Sequence, residues 1–177
     1  MRRTHPALIP DLLTFSRLGV AVLVVPVAWS LDLELTGILV SAAWLTDFLD
    51  GRLARRSNVE GRMGRWDLPI DTLVGTGLLI GLTGAGKIPV VVAVAAIVAL
   101  GGWFLTGNET ASMLLQLAGY LPLFGILLSE RPTAWWLPFL TALLIGVLDW
   151  RRLLTINIPA FLRGLVGRTP SQWGRLE

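Results

Sequence analysis

The chain has 177 residues, of which 54% are apolar and 15% charged, with a mean hydropathy of +0.68 and a net charge of +3. That length fits one domain over residues 1–177, but a soluble core does not need so much apolar sequence, whereas a bilayer does. The absence of cysteine excludes disulfides and thiolate chemistry; the one histidine, His5, leaves no multi-histidine metal site and no Ser-His-Asp triad unless it folds back, and no nucleic-acid partner is expected.

The opening MRRTHPALIPDLLTFSR is interrupted by prolines and Asp11. It has no small-residue cleavage site after a clean apolar stretch, so it does not read as a signal peptide and is expected to be retained. Ile9, Leu12 and Leu13, with Ser16 beside them, share one helical side after Pro10, a favoured first-turn residue. They read as a juxtamembrane amphipathic segment.

A helix needs about 20 mostly apolar residues to cross a bilayer. Six segments answer to that scale, over residues 15–31, 35–52, 68–86, 88–107, 110–129 and 133–150. The expected fold is all-α: a polytopic membrane protein with six transmembrane helices and an N-terminal juxtamembrane amphipathic segment. The breaks between spans are short and carry turn residues, at Asp32-Leu33-Glu34, Gly84-Ala85-Gly86-Lys87, Gly107-Asn108-Glu109 and Glu130-Arg131-Pro132. The tail IPAFLRGLVGR sets apolar residues against Arg163 and Arg168 and suits a helix or loop on the headgroups. No internal repeat is present.

Arginine sets the orientation, because cytoplasmic loops are enriched in Lys and Arg. Arg2 and Arg3 precede the first span, Arg52, Arg55, Arg56, Arg62 and Arg65 lie between the second and third, and Arg151, Arg152, Arg163 and Arg168 follow the sixth. The opposite side has Lys87 and Arg131. Both termini and the arginine-rich connection are therefore expected in the cytoplasm, the membrane being the cell's inner one.

Asp47 and Asp50 stand at the end of the second span, and Asp67 and Asp71 at the start of the third. An aspartate at the centre of a membrane helix costs roughly 2.5–3.5 kcal/mol on insertion scales, so four of them require compensation. Spacings of i,i+3 and i,i+4 put each pair on one helical face. Spans two and three, joined by a short connection, are expected to be antiparallel neighbours that bring the two pairs together. Two compensations are open. Two Mg²⁺ or Mn²⁺ ions would neutralise converging carboxylates, since hard cations take oxygen ligands and share substrate phosphates. Alternatively, the aspartates pair with the five intervening arginines as an ordinary charged loop.

The stretch DFLDGRLAR, followed by Asp67 and Asp71, resembles the signature of the CDP-alcohol phosphatidyltransferase family: D-x-x-D-G-x-x-A-R, then G-x-x-x-D-x-x-x-D. The opening IPDLLTFSR resembles the start common in the family, notably among phosphatidylglycerophosphate synthases. The motifs cover about a quarter of the chain. The resemblance implies an integral membrane enzyme of phospholipid biosynthesis that moves a phosphatidyl group from CDP-diacylglycerol to a small alcohol and releases CMP. It implies that Asp47, Asp50 and Asp67 bind two metal ions, with Asp71 completing the metal site and acting as general base. It also implies that Asp47, Gly51, Ala54 and Arg55 bind the CDP moiety, and that the enzyme is a homodimer.

Two residues depart from the pattern. Met63 stands where the family has a glycine four residues before the third aspartate, Gly64 being only three before it, and this puts nucleotide fit in question. Thr72 stands where phosphatidylglycerophosphate synthases usually carry lysine, which weakens the choice of acceptor. Glycerol 3-phosphate is the expected acceptor, with an inositol phosphate, serine or another polar alcohol as alternatives. A phosphorylated acceptor needs cations, for which Arg17, Arg62, Arg65, Arg151 and Arg152 are candidates, although arginines at span ends more often snorkel. Gly75, Gly77 and Gly81 could form a lipid groove, but small residues in membrane helices more often serve close packing. Competing readings are a non-catalytic relative and a cation-binding transporter, the latter calling for acids deeper in several helices.

Overall fold

The turns of this chain are built by the residues that mark them in the sequence. In the computed structural model, which describes residues 8–57 and 66–166 with side chains for 12–53 and 66–166, every described element is helical. The six long helices are α1 (Leu8–Trp29), α2 (Leu33–Ser57), α3 (Asp67–Gly84), α4 (Val90–Leu105), α5 (Glu109–Glu130) and α6 (Trp136–Leu148). A single turn, α7 (Trp150–Arg152), leads through a π-helical turn at Leu153–Asn157 into α8 (Ile158–Leu165).

Asp32 caps α2, its Oδ1 accepting from the Leu35 N–H at 3.0 Å, after Leu31 has turned the chain at a φ of 56°. Gly86, at a φ of 74°, ends α3 in a Schellman arrangement: the Lys87 N–H reaches the Leu82 carbonyl and the Gly86 N–H the Thr83 carbonyl. Gly107, at 85°, turns the chain into α5, where the Asn108 side chain accepts from the Thr110 N–H at 2.9 Å.

α3 is the central helix, with α1 packed on one side and α5 on the other. Its glycines explain the closeness. A Cβ on Gly77 would stand 3.0 Å from the Ala21 carbonyl oxygen, and one on Gly81 2.7 Å from both the Ala28 Cβ and the Val25 carbonyl oxygen. On the other side a Cβ on Gly75 would stand 2.6 Å from the Gln116 Cα. These glycines therefore serve helix packing of the small-residue kind, not a lipid groove.

α2 leans on α1 and, on its far side, α6, while α4 covers α5. The expectation that the second and third spans are direct neighbours is corrected here: α2 and α3 touch only lightly, because α1 fits the glycine face of α3 and holds α2 on its own flank. The N-terminal segment is helical and continuous with the first span. Its residues from Leu8 onward are the first turns of α1 itself, with no break before the apolar run.

Among the described residues two helices are long and apolar enough to cross a membrane, over Leu12–Trp29 and Glu109–Glu130, and Val90–Leu105 and Trp136–Leu148 are shorter apolar helices. The core consists of residues such as Val24, Leu78, Leu82, Leu123 and Leu127, while Val22, Val91, Val98, Leu105 and Leu121 stand on the outer surface more than half exposed. An apolar exterior of that extent fits a lipid surround. At the end of the bundle remote from the aspartates, Lys87 donates to Glu130 at 2.7 Å, and Trp135 and Trp136 stack with ring centroids 4.4 Å apart. The part of the tail expected on the headgroups forms α8, which docks on the start of α5: Asn108 Nδ2 donates to the Gly164 carbonyl at 3.2 Å, and Thr110 Oγ1 to that of Phe161 at 3.3 Å.

Candidate active site

One turn of α1 carries Thr14 and Arg17 on the same face, directed between the end of α2 and the start of α3. Arg17 is completely buried and donates to all four aspartates. Its Nη1 lies 2.9 Å from Asp47 Oδ1 and 2.6 Å from Asp71 Oδ1, and its Nη2 3.0 Å from Asp50 Oδ2 and 2.9 Å from Asp67 Oδ1. Thr14 Oγ1 stands 3.1 Å from the same Asp50 oxygen and 2.8 Å from the same Asp67 oxygen, so its one proton serves the second pair.

The convergence expected from the spacing is therefore present, with a different pairing. Neighbours in sequence do not share a partner atom. Because α2 and α3 run in opposite directions, Asp47 meets Asp71 at one guanidinium nitrogen, and Asp50 meets Asp67 at the other. Asp50 is nearly enclosed, with its side chain 7% exposed, whereas that of Asp47 is 55% exposed.

Asp47 and Asp67 open into a cavity of about 570 Å³ between α2, α6 and the π-helical turn. Trp44, Phe48 and Gly51 line its α2 wall, and Arg152 and Asn157 stand on the opposite one. Behind the cluster a chamber of about 40 Å³, enough for a water, is bounded by Asp47, Asp71, Gln116 and Tyr120.

Of the residues singled out in the sequence, the structure brings together the four aspartates, Arg17, Gly51 and Arg152. Arg151 is not among the cavity-lining residues; its guanidinium lies 5.5 Å over the Trp150 ring. The side chains of Ala54 and Arg55, and Arg62, Met63, Gly64 and Arg65 altogether, lie outside the described residues. Thr72 is turned away from the aspartates: its hydroxyl donates to the Leu68 carbonyl at 2.7 Å and meets Ser112 on α5, so the departure at this position is one of helix packing. Sequence reasoning missed Thr14; the available signal was its i,i+3 spacing from Arg17 on an otherwise apolar helix. It also missed Asn157, which only the π-helical turn brings to the cavity.

The donor set can be tested against divalent metal. Four carboxylates against the Arg17 guanidinium leave a formal −3, and −2 with Arg152 on the cavity wall, so the partly enclosed site still calls for further positive charge. Among the described residues no three acids surround one point as a ready metal cage. They come as two pairs. Magnesium characteristically takes one or two carboxylates and completes its shell with water and substrate phosphate, so two pairs of hard oxygen ligands fit two such ions.

Residues 7–113 match the family model of the CDP-alcohol phosphatidyltransferases, a span that contains all four aspartates and Arg17. No curated protein and no solved structure matches the chain.

Proposed function

The chain belongs to the CDP-alcohol phosphatidyltransferase family, membrane phosphotransferases of phospholipid biosynthesis that are generally dependent on divalent metal, and on that premise we propose that it transfers a phosphatidyl group from CDP-diacylglycerol to glycerol 3-phosphate. The observation that carries this reading is the meeting of four aspartates at the inner end of a cavity whose opposite wall holds Arg152. α1 to α6 are the six spans in this proposal. The aspartate end, where Arg52, Arg151, Arg152 and Arg163 gather, faces the cytoplasm.

Asp47, Asp50, Asp67 and Asp71 hold two Mg²⁺ or Mn²⁺ ions, which, when bound, offset the charge of the pyrophosphate and of the oxygen that leaves it. Gly51 and Ala54 leave room for the nucleotide beside α2, and Arg55 offers its forked donors to a phosphate oxygen. Arg152 binds the phosphate of the acceptor, across the cavity from Asp47.

Asp71 takes the proton of the acceptor hydroxyl on a carboxylate oxygen. That hydroxyl oxygen bonds to the phosphorus bearing the diacylglycerol, and the bond from this phosphorus to the bridging pyrophosphate oxygen breaks. CMP leaves with the electron pair. No covalent intermediate on the protein is required.

Purified protein incubated with CDP-diacylglycerol, Mn²⁺ and a panel of alcohols tests the reading through CMP release and the identity of the lipid product. Glycerol 3-phosphate should give phosphatidylglycerophosphate. A product formed only with an inositol phosphate or serine would overturn the acceptor while leaving the chemistry, and CMP release with none would overturn both.

A further inference from the structure

An arginine that is wholly enclosed and shared by four carboxylates is more than a snorkelling anchor, and its geometry is specific. Each terminal nitrogen of Arg17 stands where one pair of aspartates converges, Nη1 on Asp47 and Asp71 and Nη2 on Asp50 and Asp67. The guanidinium thus lies against the oxygens that two cations would take. Two cations and a guanidinium cannot crowd the same oxygens without strong repulsion, since like charges at close range inside a protein are poorly screened.

The third nitrogen adds a second observation. Nε of Arg17 is buried without a hydrogen-bond partner among the described residues. Apart from a long 3.4 Å approach of Nη2 to Thr14 Oγ1, the aspartates alone hold the head group among the described residues. Among the described residues no hydrogen bond at Nε resists a swing of the guanidinium about its stem.

We propose that Arg17 is a built-in counter-cation, which holds the four aspartates together while metal is absent and competes with divalent ions for them. In the metal-free chain Arg17, from α1, keeps four repelling carboxylates on two helices, α2 and α3, in register. When ions enter, its terminal donors give way, so that metal binding is opposed by the loss of four charge-assisted hydrogen bonds. Arg17 is by this account a positioning residue. It sets the metal affinity of the site and preserves the fold between turnovers, and it does not bind the acceptor. The inference rests on the metal site proposed above.

The test is metal binding without substrate, on the full-length protein in detergent. Free Mn²⁺ is titrated by electron paramagnetic resonance for the parent, Arg17→Gln and Arg17→Lys, and each is melted with and without saturating Mn²⁺. Arg17→Gln should bind Mn²⁺ about tenfold more tightly, equivalent to ~1.4 kcal/mol. It should melt lower than the parent without metal and gain more from Mn²⁺. Arg17→Lys, which keeps the charge, should bind near the parent value.

If Arg17→Gln folds only when prepared in Mn²⁺, the counter-cation role is supported, because metal then replaces what the arginine supplied. If it fails to fold with and without Mn²⁺, or binds Mn²⁺ no more tightly than the parent, the role is overturned. A parent protein that binds no Mn²⁺ would instead overturn the metal site on which the inference stands.

Discussion

Replacing Asp71 by asparagine separates proton transfer from structure, because the two effects have different sizes. Asp71 Oδ1 accepts from Arg17 Nη1 at 2.6 Å. Asparagine can present an oxygen there, so a charge-assisted hydrogen bond becomes a neutral one, a loss of roughly 1 kcal/mol. Lowering the negative charge of the cluster relieves repulsion and works against that loss, so the melting temperature should move little. The proton acceptor, however, is gone. General-base loss costs about 10²–10⁴-fold in rate, or roughly 2.7–5.4 kcal/mol of barrier.

The assay is paired: metal-dependent binding of CDP-diacylglycerol and single-turnover transfer. Asp71→Asn should bind the donor nearly as the parent does and transfer at least 100-fold more slowly, by the same estimate. Asp50→Asn should differ. Its side chain is almost enclosed against Thr14 and Arg17, so losing its charge should weaken metal and nucleotide binding together. Near-normal turnover in Asp71→Asn would refute the base assignment, and equal loss of binding in both variants would reduce Asp71 to a metal ligand.

Other perturbations reach other parts of the account. Gly81→Val places side-chain carbons where Ala28 and the Val25 carbonyl already stand, and should destabilise the α1–α3 pair by about 1–3 kcal/mol, read as a lower melting temperature; an unchanged one would contradict the packing. Arg152→Gln should raise the KM for glycerol 3-phosphate by roughly tenfold, a loss within the range of one hydrogen bond to a charged group, while leaving CDP-diacylglycerol binding intact; an unchanged KM would remove Arg152 from the acceptor site. The chain has no native cysteine, so single cysteines at Ser57, Gly86 and Glu177 can be labelled cleanly. Positions 57 and 177 should react only from the cytoplasmic face and position 86 only from the other, and labelling of 57 and 177 from opposite faces would exclude six spans.

The aspartates were legible because they are expensive: an acid at the mouth of an apolar helix stands out against everything around it. The turns were legible for local reasons, since Asp32, Gly86, Gly107 and Asn108 act on backbone groups within a few residues of themselves. Helix adjacency was not. The short connection suggested that α2 lies against α3, whereas packing depends on complementary surfaces, and the glycine face of α3 fits α1 better. Arg17 was picked out, but an arginine near a helix end ordinarily reaches for water or phosphate. Its burial among four carboxylates follows from α1 lying between α2 and α3, a tertiary fact that no local pattern encodes. The π-helical turn at Leu153–Asn157 is likewise a change of helical pitch without a glycine or proline inside it to announce it, and such turns recur at functional sites. Here it carries Asn157 to the cavity wall.

The most direct measurement of the central claim is CMP release by the purified protein from CDP-diacylglycerol and glycerol 3-phosphate, followed through chelation and metal return. In the proposed site the two aspartate pairs act on a pyrophosphate through divalent ions, so EDTA should abolish release and added Mg²⁺ or Mn²⁺ should restore it. Full release in excess chelator would contradict the account.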